Sequence, residues 1–295
     1  MSEIRVDNIT DEAGTGRPDF SNGIKTSNIN GGPIGRRNAI INGNFGVNQR
    51  GVSGTVSLSA GEYGHDRWKA GASGATYTFS TSGGVTTIDI SAGSLIQVVE
   101  DVNVVTDTYV LSWTGTAQGK IGSGSFGDSG VTESVTGGSN LNIEFGTGTV
   151  SKVQLEVGDT ATEFEHRSIG EELALCQRYY QNIGKYGNSS FPIGAGYFFD
   201  SGRGSGAFFI PLSCPMRISQ PSISTATDFF EIRGGNTGSN DDFEIDDGFQ
   251  VEGGGDIGVL SLRTFTTSSL PITEGNSVSL ANNRASNFLQ VDAEL

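Results

Sequence analysis

Positive charge is scarce in this sequence: 18 Lys and Arg stand against 33 Asp and Glu, a formal net charge of −15 and a pI near 4.4. A surface of that sign repels nucleic acid and anionic lipid headgroups, so neither is an expected partner. Long apolar runs are missing too. Nothing approaches the roughly 20 residues of a membrane span, and Met1-Ser2-Glu3-Ile4-Arg5 lacks the basic region and apolar core of a secretory leader. The expectation is synthesis and assembly in a cytoplasm, without membrane insertion. The two cysteines, Cys176 and Cys214, lie far apart and have no CxxC partner. That speaks against a disulfide framework or a zinc site and leaves two buried thiols.

Catalytic signatures are equally thin. The two histidines are His65 and His166. His65 and Asp66 are neighbours that point to opposite faces of an extended segment, whereas a Ser-His-Asp relay needs convergence. No GxSxG elbow, Walker A loop or HExxH motif occurs. Gly122 to Gly127 matches GxGxxG formally, but no helical pattern follows to aim amides at a phosphate, so it reads as a turn. The expectation is a non-enzyme without a cofactor.

What is abundant is glycine, 45 residues in 295, together with Ser, Thr and Asn. Glycine supplies the positive φ of tight turns, and β-branched residues suit a pleated sheet, so the mixture predicts short strands and many turns. The length suits two domains. No repeat of fixed period is visible, which excludes a propeller or solenoid.

The first 36 residues are too poor in apolar side chains to close a core. They read either as a loose tail or as an attachment segment that orders on a partner. From Asn38 to about His166 the pattern is alternating. Tyr109, Leu111 and Trp113 share one strand face, as do Leu141, Ile143 and Phe145, and Val153, Leu155 and Val157. Residues 76–80, 86–91 and 94–100 add further strands, and the spacing predicts an antiparallel sandwich or jelly roll. Trp113 is expected in the core. Trp68 and Tyr63 read as aromatics capping the sandwich edge, with exposure for sugar stacking as the alternative.

Ser168-Ile169-Gly170-Glu171 fits a capping box and opens the one convincing helix. Ile169, Leu173, Cys176 and Tyr180 make a single apolar stripe along it, and Gly184 supplies a stop. So short a helix needs a partner for its stripe, either a neighbouring domain or two further copies in a three-chain bundle.

Beyond Asn188 lies a second β region. Residues 197–199 and 207–212 flank the Gly-rich 201–206 and read as a hairpin. Residues 241–252 read as another, with a three-residue loop, Asp246-Asp247-Gly248, aligning Phe243, Ile245, Phe249 and Val251 on one face. Its acidic residues fail as an EF-hand, because Asp247 stands where the loop glycine belongs and Gly253 where the final Glu belongs. They read as a solvated face, with a looser divalent-cation site at Asp242, Glu244 and Asp246, or a carboxylate pair for glycan cleavage, as alternatives.

Several blocks carry a family resemblance. Asn38-Ala-Ile-Ile-Asn-Gly-Asn-Phe-Gly-Val-Asn-Gln-Arg-Gly51, Tyr63-Gly-His-Asp-Arg-Trp68, the run from Lys152 to Arg167, and Glu171 to Tyr180 resemble bacteriophage tail fibres and related tail proteins. The opening from Val6 to Gly23 resembles the N-terminal segment of such fibres, particularly from marine phages, and the closing Val291-Asp-Ala-Glu-Leu295 is similar more weakly.

The resemblance implies a virion protein of the phage tail and a homotrimer. Residues 1–36, with Val6, Ile9, Pro18 and Phe20, would attach to other tail proteins. Residues 37–167 would form a jelly roll like a carbohydrate-binding module, and 168–182 a connecting helix. Residues 183–295 would be a distal β-sandwich that trimerises and adsorbs to a bacterial surface glycan or outer-membrane receptor. A head fibre or a receptor-free spacer is the alternative, and a glycan depolymerase is the third reading.

Overall fold

The computed structural model describes residues 28–29, 32–33, 36–183, 191–200, 205–224, 230–233, 243–244, 249–264, 277–282 and 289–295. Residues 1–37 form one unit, in which Asn28–Ile29 (β1) pairs antiparallel with Gly32–Pro33 (β2). Residues 38–295 form a second unit, mainly β, with antiparallel pairing throughout its described strands.

The first part of that unit is built from Val56–Leu58 (β3), Trp68–Ser82 (β4), Val85–Val99 (β5), Asp107–Thr114 (β6), Gly119–Ile121 (β7), Val131–Val135 (β8), Leu141–Phe145 (β9) and Gly148–Val157 (β10). Their order is β3-β4-β5-β10-β6-β8, with β9 bonded to β5 and β7. Gly83 and Gly84, at φ 58° and 76°, turn β4 into β5 in the left-handed conformation that two-residue hairpins demand.

Two strands change partner along their length, and that bends the sheet around its core. β5 gives Ile88–Ile90 to β10 and Leu95–Val99 to β9. β10 gives its first residues to β5 and the rest to β6, with an irregularity between Ser151 and Gln154 where Lys152 takes φ 50°. A bulge bends and twists a strand, which lets one strand serve two sheet directions. Inside lie Ile88, Ile90, Leu111, Ile143, Phe145, Val150, Val153 and Leu155, all fully buried.

The alternation places Tyr109, Leu111, Trp113, Leu141, Ile143 and Phe145 as expected. Val157, however, is 52% exposed, because it is the last residue of β10 and lies beyond the covering strands. Residues 76–80, 86–91 and 94–100 are not separate strands. They belong to one long hairpin, whose Gly93, at φ 71°, absorbs the irregularity that the sequence presents as a break. Trp68 is core rather than edge, its ring 4.8 Å from that of Phe45, while Tyr63 is half-buried. The Gly122 to Gly127 stretch is a turn, closed by a bridge between Gly119 and Gly127.

Ile169–Gln177 (α1) is the α-helix among the described residues, and the Ser168 hydroxyl accepts the Glu171 amide as its N-cap. It ends earlier than its apolar pattern implies. Tyr180 starts the next strand, so Ile169, Leu173, Cys176 and Tyr180 do not form one helical stripe. Aromatic Tyr179 and Tyr180 favour extended backbone, and pairing of Tyr180 with Asp292 settles it. Within the helix, Cys176 is buried, Leu173 is half-buried and Ile169 is 65% exposed. Gly184 lies outside the described residues.

The second part comprises Tyr180–Ile183 (β11), Phe191–Asp200 (β12), Ser205–Pro211 (β13), Ser222–Ser224 (β14), Phe230–Arg233 (β15), Phe243–Glu244 (β16), Phe249–Gly253 (β17), Val259–Thr264 (β18), Ser277–Asn282 (β19) and Leu289–Asp292 (β20). One sheet runs β11-β20-β14 and the other β16-β15-β19-β12-β13-β18-β17. Phe208, Ile210, Met216, Leu260, Leu262, Leu289 and Val291 fill a second core. The hairpin of β12 and β13 forms as the sequence implies.

The hairpin over 241–252 does not form. Phe243 pairs with Ile232 and Val251 with Leu262, at opposite edges of the seven-stranded sheet. Which strand each takes as neighbour is a long-range choice that local turn chemistry in the sequence does not reveal.

Candidate functional site

Four of the sequence blocks singled out by resemblance, residues 38–51, 63–68, 171–180 and 291–295, meet at one buried joint, and residues 152–167 adjoin it; the block from Val6 to Gly23 lies outside the described residues. Asn38 sets the first tie. Its side-chain oxygen accepts the amides of Ile40 and Leu155, and its nitrogen donates to the Val153 carbonyl. Asn42, in the left-handed conformation at φ 57°, donates to the carbonyls of Val47 and Asp66, while its own carbonyl accepts Trp68 Nε1 at 3.1 Å. Residues 38–51 are thereby stapled to both β10 and the 63–68 turn.

That turn faces the end of β20. The Arg67 guanidinium stacks 3.5 Å from the Tyr179 ring centroid, donates to the Val98 carbonyl, and pairs with the Glu294 carboxylate. Arg50 sits 3.7 Å from the Tyr180 ring centroid and pairs with Asp292 at 3.1 Å and Glu294 at 3.6 Å. Gln49 bridges across, donating to Asp66 Oδ1 at 2.7 Å and to the Tyr180 carbonyl at 2.9 Å. Lys69 Nζ and the Tyr63 hydroxyl reach the Leu295 carbonyl, and the Ala293 amide donates to Tyr179. Glu100 adds pairs with Arg178 at 3.2 Å and Arg217 at 3.7 Å.

Burial sets the electrostatics of this joint. It pushes the Asp66 and Glu294 carboxyls up, against the opposing pull of Gln49 on Asp66 and of Arg67 and Arg50 on Glu294. The Tyr77 and Tyr180 hydroxyls are pushed up to about 12, again by burial. Burial lowers His65 to about 4, so it is neutral at pH 7 and shares a 3.0 Å hydrogen bond with Tyr77. His65 and Asp66 thus engage different partners, Tyr77 and Gln49.

Of the residues proposed for helix packing, Cys176 and Tyr180 lie fully buried at this joint, with Leu173 at its margin and Ile169 outside it. Cys176 is a free thiol raised well above its usual value by burial. Cys214 is also free but only half-buried, a correction to the expectation of two buried thiols, because it sits on a surface turn after β13.

Val6, Ile9, Pro18 and Phe20 lie outside the described residues, as do Asp242 and Asp246. Glu244 lies on β16, with its backbone opposite Glu231. No cluster of three or more metal-ligating side chains occurs among the described residues, and no described helix is long and apolar enough to cross a membrane. Sequence reasoning missed Arg50, Arg67, Asp292 and Glu294 as a set. Only the signs of their charges, in blocks more than 200 positions apart, hinted at the pairing. No protein-family model matches this chain, and no curated protein matches it.

Proposed function

We propose that this chain is a structural subunit of a phage virion, a homotrimeric tail fibre that mediates adsorption to the host cell. Residues 1–36 attach it to other tail proteins, a jelly roll over 37–167 extends the arm, and residues 183–295 form a distal sandwich that meets a bacterial glycan or outer-membrane receptor. One observation carries this reading: residues 38–51, 63–68, 171–180 and 291–295, four of the stretches that resemble tail fibres, converge on the joint at Arg67 and Glu294, and residues 152–167 adjoin it through Asn38. Stiffness is what a fibre needs from that point, since it must transmit position between its ends. The acidic surface keeps a multi-copy protein soluble. Within the distal region, the rings of Tyr197, Phe199 and Phe209 are exposed and available for contact.

Light scattering on the full chain tests the assembly: the expected mass is that of three chains, and a monomer at micromolar concentration overturns it. Labelled antibody on intact particles tests the location. Tail labelling and competition of purified protein with phage adsorption are expected, whereas labelling of the capsid would overturn the tail assignment.

A further inference from the structure

The end of β20 serves both cores. Leu289, Val291 and Ala293 are buried in the second core, whereas the two residues that follow are gripped by the 63–69 turn of the first part. The Glu294 carboxylate pairs with the Arg67 guanidinium, accepts the Arg67 amide at 3.3 Å, and lies 3.6 Å from Arg50. The Leu295 amide donates to the Tyr63 hydroxyl at 3.2 Å, and its carbonyl accepts Lys69 Nζ at 2.6 Å. From the other side, the Ala293 amide donates to the Tyr179 carbonyl at 2.7 Å, and Arg217 donates to the carbonyls of Ala293 at 2.8 Å and Glu294 at 3.2 Å. Three consecutive residues are thus held by side chains and backbone from both halves.

The other ties across the joint are of a weaker kind. Gln49 donates to the Tyr180 carbonyl and accepts from the Asn182 amide group, both neutral hydrogen bonds. Glu100 pairs with Arg178, whose side chain is 44% exposed, and with Arg217 at 3.7 Å. Arg67 differs from all of these, because its side chain is 1% exposed and its charge is balanced by Glu294. Take that carboxylate away and the buried guanidinium must find water. Parting of the two halves supplies it at once. Unfolding is not required, because Ile88, Leu111, Phe145 and Val153 fill the first core and Phe208, Ile210, Leu260 and Leu262 the second, each without the other.

We propose that residues 293–295 are a latch. Seated, they make the two cores one cooperative body; released, they let the joint open as a hinge while both cores stay folded. The latch depends on the contacts of the joint alone and is independent of the chain's assignment to a virion.

Two full-length probes of the joint are built into the chain. Trp68 and Trp113, its two tryptophans, both lie in the first core, so their fluorescence follows that core while far-UV circular dichroism follows the strands of both. Cys176, buried at the joint, reports opening through its reactivity. In the parent the two urea transitions are expected to coincide, the mark of one cooperative unit. A chain lacking residues 293–295 is expected to keep its native dichroism without urea, to show a tryptophan transition displaced from the dichroism transition, and to label with maleimide at Cys176 at least about tenfold faster under native conditions. Glu294→Lys, which keeps the backbone contacts of Ala293 and Leu295 but sets a third cation beside Arg67 and Arg50, is expected to do the same, and it decides the matter if the deletion does not fold. The proposal holds only if both changes appear. Separate transitions in the parent, coincident transitions in the variants, a Cys176 that stays protected in them, or loss of native dichroism in both variants would each overturn it.

Discussion

Arg67 and Glu294, 227 positions apart, form an ion pair in which their side chains are 1% and 3% exposed. Removing Glu294 strands the Arg67 charge in a low-dielectric interior, at a cost of roughly 3–5 kcal/mol, whereas removing Arg67 leaves Glu294 its second partner, Arg50 at 3.6 Å, and costs less. Glu294→Gln and Arg67→Met are each expected to lower the urea midpoint by a corresponding amount. The double variant Arg67→Met with Glu294→Leu is expected to be more stable than either single one, because no charge is left unpaired. Equal losses in all three would show that packing on Tyr179, rather than the charge pair, holds the joint.

His65 makes stability depend on pH. Its folded value of about 4 lies below the usual 6.5, so between those limits the unfolded chain binds the extra proton. The contribution is complete above pH 6.5 and is lost as pH falls toward 4, by roughly 3 kcal/mol in all. Asp66 and Glu294 act in the opposite sense, since carboxyls raised by burial are less costly once protonated. The difference between the parent and His65→Gln isolates the histidine. Their urea midpoints are expected to run parallel above pH 6.5 and to converge below it; parallel curves throughout would refute the assignment.

Local pattern carried the first core well and the second poorly. Tyr109, Leu111, Ile143 and Phe145 alternate cleanly because one face of each strand meets the core and the other does not. Around Gln154 and Glu156 that rule fails. Both are buried because residues 162–165 fold back and bond to them, a cover that no short-range pattern encodes. Phe243 and Val251 read as hairpin partners because their spacing fits a turn, yet pairing with Ile232 and Leu262 won. The joint was legible only as motif. The roles of Arg67 and Glu294 depend on the contact of β11 with β20, which closes over 100 residues of intervening chain.

The two thiols are expected to react very differently. Burial raises Cys176 strongly and Cys214 less, and only Cys214 has a half-exposed residue surface. Since the thiolate is the reactive form, both are slow at pH 7. One maleimide is expected to add to the native chain, slowly and at Cys214, and a second only after unfolding in guanidinium. Mass spectrometry of the labelled peptides checks it, and early labelling of Cys176 would mean that the joint opens in the native state.

Gly43 shows why the first sequence block tolerates no side chain at that position. A Cβ there would lie 2.2 Å from the Val153 carbonyl oxygen, and the Gly43 carbonyl itself accepts the Val153 amide at 2.8 Å. Both obstacles are backbone, tied to each other, so neither can yield without moving β10 at its bulge. Gly43→Ala is expected to cost about 2–3 kcal/mol by overpacking. Gly83→Ala is the control: its added Cβ meets nothing within 4 Å, and only its φ of 58° is strained, at about 1 kcal/mol. Denaturant melts of the two variants distinguish clash from strain. The same displacement of β10 would shift Lys152, so Gly43→Ala, unlike Gly83→Ala, is also expected to alter the amide resonances around the bulge.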